Sequence, residues 1–180
     1  ETPMMRGLTV RFLLGLTLLV AMAPTQGAAA ICPPDSEQVG PVCVDKYEGS
    51  VWSIPAARTL LIQKVQTGKA THAELRAGGA TQRGCAIGQT AYPASFPLTG
   101  NWTAPVYAVS VAGVLPSACI TWFQAEQACA LSGKRLLTNQ EWQRAAAGTP
   151  DAGQQLPSAR DCNTDSNGPS QTGGQANCRS

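Results

Sequence analysis

Apolar and polar positions divide this chain into a short greasy run, a broken middle and one well-patterned stretch. The run is Phe12-Leu13-Leu14-Gly15-Leu16-Thr17-Leu18-Leu19-Val20-Ala21-Met22-Ala23. It is shorter than the roughly 18–20 residues that a bilayer span needs. Residues 31–52 then carry apolar points at Val42, Val44, Tyr47 and Trp52 and read as a strand region. The Leu60-Leu61-Ile62 cluster predicts a buried element over 54–65, and its pattern fits helix and strand equally. Thr71-His72-Ala73-Glu74 has the form of a capping box, and Gly78-Gly79 ends the short helix it starts. Residues 84–104, rich in Gly, Pro, Thr and Ala, predict a long irregular loop. Val106-Tyr107-Ala108-Val109-Ser110-Val111 alternates as a strand does.

The best-defined stretch follows. Thr121 caps a helix with Gln124 at its third position, and Trp122, Ala125 and Cys129 are expected on its inward face. Gly133 stops it. Thr138-Asn139-Gln140-Glu141 is another capping box, starting a helix expected to turn Trp142, Ala145 and Ala146 inward before Gly148-Thr149-Pro150. Beyond Asp151 the chain is polar and turn-rich, and no internal repeat is visible.

The amino end changes how the cysteines are read. Glu1-Thr2-Pro3 precede Met4-Met5 and read as upstream residues. Arg6 and Arg11, the apolar run and Ala28-Ala29-Ala30 then make up an n-region, an h-region and a cleavage site. A cleaved Sec signal peptide over 1–30 is therefore expected, leaving 31–180 secreted or periplasmic with no stable membrane span. Export places the seven cysteines in an oxidising compartment where they pair. Pro33-Pro34 and Gly40-Pro41 turn the chain between Cys32 and Cys43, which makes them the first expected bridge. Cys162–Cys178 is the second, closing a polar loop. With both formed, Cys119 is able to pair with Cys129, leaving Cys85 single.

Charge narrows the function classes. A net charge of +2 with only 13% charged residues supplies no polycationic face for nucleic acid. The single histidine, His72, excludes a His-rich metal site, and its helix-start position reads as solvated. Asn101-Trp102-Thr103 fits the glycosylation sequon, relevant only to a eukaryotic secretory route.

Ile120-Thr121-Trp122-Phe123-Gln124-Ala125, Ala128-Cys129 and Ser132-Gly133-Lys134-Arg135-Leu136-Leu137-Thr138-Asn139-Gln140-Glu141-Trp142 resemble the central signature of the sulfatase-modifying-factor family, which includes the formylglycine-generating enzymes. Val109-Ser110 is similar to the family's preceding strand. Cys32-Pro33-Pro34-Asp35 with Cys43-Val44-Asp45-Lys46-Tyr47-Glu48 is similar to the opening of bacterial secreted members. The likeness covers roughly 31–52 and 106–180, with the middle as an insertion. Gly133, Lys134, Arg135, Thr138, Glu141 and Trp142 are its structural signature. Arg135 is expected to pair with a carboxylate or cap carbonyls, and Glu141 to serve as a helix cap.

The resemblance implies an α+β, C-type-lectin-like fold with much irregular loop, here an incomplete N-terminal part of the family's domain. Leu137 stands where the family has Pro, and Thr149-Pro150-Asp151 stands in place of Pro-Trp-Gly. The family's later half, with its copper-binding cysteine pair, has no counterpart, so truncation is expected and the catalytic residues are unknown. Copper is implied only if that half supplies the pair. Asn163 matches the family's first asparagine at a calcium site, against the plainer reading of a turn-forming Asx residue. Three functions stay open: part of an oxidase acting on a cysteine of a sulfatase-like protein or peptide, a non-catalytic secreted binding module, or an inactive fragment.

Overall fold

The computed structural model describes residues 31–148, 162 and 168–175. In chain order the elements are β1 (Ser36–Val39), β2 (Val42–Asp45), β3 (Ser50–Ser53), α1 (Thr59–Gln66), α2 (His72–Ala77), β4 (Thr81–Arg83), β5 (Val106–Val109), α3 (Trp122–Leu131) and α4 (Asn139–Ala145). Strands β1 and β2 form a hairpin with Val39 opposite Val42. A second, antiparallel sheet runs β4-β3-β5, with Trp52 paired to Gln82 on one side and Tyr107 on the other. Helices alongside small antiparallel sheets agree with the expected α+β class. The signal peptide expected over residues 1–30 falls outside the described residues.

Side-chain alternation along β3 and β5 builds two cores on opposite faces of this sheet. Trp52, Tyr107 and Val109 point to the side where Leu61, Val65 and Leu75 arrive from α1 and α2. Val51, Val106 and Ala108 point to the side of Ala128 on α3 and Phe96 from the long loop. The strand expected over 106–111 forms as β5, but its four residues are apolar and buried on both faces rather than alternating. The 54–65 ambiguity resolves as helix, because Leu61 and Val65 at i and i+4 are the residues α1 buries. His72 is half-buried rather than solvated, its ring 5.9 Å from that of Trp52.

All three capping boxes form. Thr71, Thr121 and Thr138 each accept from the third helical N–H, while Glu74, Gln124 and Glu141 reach back to the cap. The faces of the last two helices differ from expectation. On α3 the buried residues are Gln124, Gln127 and Ala128, and Trp122 is exposed. The two amides go inside because they serve backbone that has no other partner. Gln127 Oε1 accepts from Asn101 N at 2.7 Å, and its Nε2 donates to Asn101 Oδ1 at 3.2 Å. Gln124 Nε2 donates to the Phe96 carbonyl at 2.8 Å. On α4 no residue is buried, and Trp142 is 56% exposed rather than inward. That helix packs on the β1–β2 hairpin instead of the central sheet.

Cys32–Cys43 forms as expected. The Cys119–Cys129 pairing does not: Cys119 bonds Cys85 and Cys129 is free. Cys119 lies outside α3 in a left-handed turn (φ 56°), beside the 84–104 loop, whereas Cys129 sits in the last turns of the helix. Cys162 is disulfide-bonded. Cys178, its expected partner, lies outside the described residues, as does Asn163.

Candidate functional site

Past α3 the chain must reverse within a few residues, and Gly133 makes this possible with φ 71° and the Gln66 carbonyl 3.3 Å from where a Cβ would stand. The reversal aims Lys134 back at the hairpin. Its Nζ lies 2.6 Å from Asp35 Oδ2 and 2.7 Å from Asp45 Oδ1. Ser36 Oγ donates between the same two carboxylates, at 3.1 Å and 3.2 Å. Gly68 closes over the group, where any side chain would collide with Asp35. One ammonium thus clasps the start of β1, the end of β2 and the signature turn.

Arg135, next along, turns the other way and forms a bidentate pair with Glu141, at 2.7 Å and 2.6 Å. Glu141 also accepts from Thr138 N, so it closes the capping box and holds the turn in one geometry. Both structural expectations for these charges hold. The Arg135 fork and the cap bonds hold the Glu141 carboxyl down at about 2. Asp45 is shifted the opposite way: burial raises it, and Lys134 only partly offsets this.

Between hairpin, turn and α4 lies a cleft of about 930 Å³. Val42, Val44, Leu136, Leu137, Trp142 and Ala146 give it apolar walls, and Asp45 and Lys134 lie at its floor with Cys129. Such a cavity, apolar with a few convergent polar groups, is the kind that takes ligands. The signature residues Gly133, Lys134, Arg135 and Trp142 all line it, and Thr138 and Glu141 brace it from behind. Cys43 and Cys162 also reach it. Nothing local in the opening segments shows that Asp35 and Asp45 grip Lys134. The only signal was two acids near the two cysteines of one bridge.

Cys129 is the only free cysteine among the described residues, and burial, reinforced by the charges of Asp45 and Glu126, pushes its thiol up to about 11. A thiol in that state is a poor nucleophile and a poor metal ligand. Copper(I) is best held by paired thiolates. The described residues offer one protonated thiol and no group of three or more His, Cys, Asp or Glu suited to a metal, so they do not fit copper.

A family model for the sulfatase-modifying factor enzyme 1-like domain matches residues 77–178. The chain belongs to this family. No curated protein and no solved structure matches it. The sulfatase-modifying-factor match takes in 77–105, which the sequence likeness had set aside as an insertion. Those residues are tied into the domain by the Cys85–Cys119 bridge and by Asn101 on Gln127. Residues 31–52 precede the match, yet they supply both carboxylates that hold Lys134. No helix among the described residues is long and apolar enough to cross a membrane.

Proposed function

We propose that the chain is an exported binding module of the sulfatase-modifying-factor family, taking a segment of a protein partner in the cleft between the β1–β2 hairpin and α4. The observation that carries this reading is the cleft itself. Its apolar walls present an exposed indole, while Asp45, Lys134 and Arg135 are paired within the protein and, among the described residues, Glu48 alone lines it without an ion pair, so it is suited to a largely apolar stretch of chain. Export is supported by two disulfides among the described residues, a pattern of oxidising compartments.

Oxidase chemistry is the second reading, and family membership favours it. In that case the cleft would hold a polypeptide near thiols carried outside the described residues. The lone Cys129, protonated at any ordinary pH, weighs against redox work by the described part. Mass spectrometry of a cysteine-bearing sulfatase-type peptide, incubated with the chain, copper, oxygen and a thiol as the two-electron reductant, separates the two. The binding reading expects the peptide back unchanged in mass. Conversion of its cysteine to an aldehyde, a loss of sulfur and two hydrogens with a gain of one oxygen, would overturn it.

A further inference from the structure

Away from the cleft, residues 84–125 contain no Asp, Glu, Lys, Arg or His. This uncharged stretch carries Ile87, Leu98, Trp102, Trp122 and Phe123, all largely exposed. Leu98, Trp122 and Phe123 lie at the start of α3, and Trp102 follows in the loop that Asn101 ties to that helix. Thr121 Oγ1 donates to the Leu98 carbonyl at 2.5 Å, and Gly100 comes so close that a Cβ there would stand 3.3 Å from the Phe123 carbonyl. The Leu98–Trp102 backbone is therefore laid directly on the first turns of the helix that bears Trp122 and Phe123. Those two rings meet edge to face with centroids 5.4 Å apart, which fixes their orientation. Cys129, the helix residue that reaches the cleft, is about two turns further on, some ~10 Å along the axis.

Trp102 shows that this surface is built. Asn101 Oδ1 accepts from Thr103 N at 3.2 Å and from Ala104 N at 3.1 Å, an Asx turn that forces the intervening residue to φ 58°. Glycine or asparagine adopts that conformation easily, and a bulky residue does so at a cost of about 1 kcal/mol. The cost falls on an indole that is 58% exposed and adds nothing to either core. Asn101 is meanwhile fully engaged, its Nδ2 donating to the Ser95 carbonyl, so the sequon amide is a brace of this loop.

We infer that the 98–103 loop and the start of α3 form a binding surface for a neutral polysaccharide. Rigid, exposed indole rings offer faces against which the C–H face of a sugar packs, and exposed Ser95, Thr99 and Thr103 set hydroxyls between them. The absence of charge selects a neutral ligand. An anionic lipid surface calls for basic residues beside the aromatics, and this stretch has none. A second copy of the chain would be met by a continuous apolar patch, whereas here Trp102 stands between Asn101 and Thr103, Leu98 precedes Thr99, and the Trp122–Phe123 pair lies between Thr121 and Gln124.

Native affinity electrophoresis tests the inference, running the chain through gels containing hydroxyethyl cellulose, dextran or mannan. At least one of these should retard it. Trp122→Ala and Trp102→Asn should each weaken that retardation by at least about tenfold in apparent affinity, as loss of an anchoring indole does. Asparagine is chosen at 102 because it tolerates the left-handed turn, so this variant should unfold at no lower temperature than the parent. Trp142→Ala, in the cleft, should migrate like the parent in every gel. Unretarded migration in all three gels would overturn the inference, as would retardation that survives both substitutions. A dimer of the parent that both surface substitutions dissolve would assign the surface to a second copy instead.

Discussion

Removing the Lys134 ammonium would leave Asp35 and Asp45 facing each other across Ser36 with no counter-charge. Breaking a buried ion group from one side costs about 3–5 kcal/mol, so Lys134→Ala should lower stability by that order in denaturant unfolding. Glu141 titrates in the other sense. Its folded pKa of about 2 lies below the ordinary 4.5, so its contribution is full above 4.5 and is lost as pH falls toward 2. Asp45 is raised, so ionising it works against the fold and protonating it does not. Acid unfolding should therefore be shallower between pH 4.5 and 2 in Glu141→Gln than in the parent, which a pH series of thermal melts would read. Arg135, Glu141 and the three cap threonines were legible from sequence because their partners lie within six residues. Lys134 was not, because its partners are 89 and 99 residues away.

Helix α3 shows where periodicity misleads at the scale of an element. Counting apolar residues selected Trp122, Ala125 and Cys129, yet the helix buries two glutamines. Burial there follows hydrogen bonding, since the irregular 95–101 loop has backbone groups that only side-chain amides reach. Gln127→Leu should cost about 1–3 kcal/mol despite adding apolar volume to a buried site, because Asn101 N loses its partner and Asn101 Oδ1 loses one of its three donors. Unfolding in urea, with stability unchanged or improved, would show that the amide pair is dispensable. Helix α4 misled in the reverse direction: Trp142 followed the pattern of an inward face but stands over the cleft. Its exposure limits the loss of stability in Trp142→Ala to about 1 kcal/mol or less, well under the 3–5 typical of a buried tryptophan.

Across the whole molecule, the fold was readable where local rules act and obscure where distant segments meet. Strands, caps, the first disulfide and the family signature all rest on residues close in sequence. The Cys85–Cys119 bridge and the cleft, walled by residues from both ends of the described chain, depend on chain crossings that spacing does not reveal. What the sequence presented as a run of motif positions is in space one wall of a pocket, clasped to its opposite wall by Lys134. The claim that this pocket holds polypeptide is tested most directly by selecting displayed random peptides on the chain and counter-selecting on Trp142→Ala. The account predicts an enriched set of peptides, rich in apolar residues, that bind the parent and lose at least about tenfold in affinity to the variant. No enrichment, or peptides that bind both proteins equally, would contradict it.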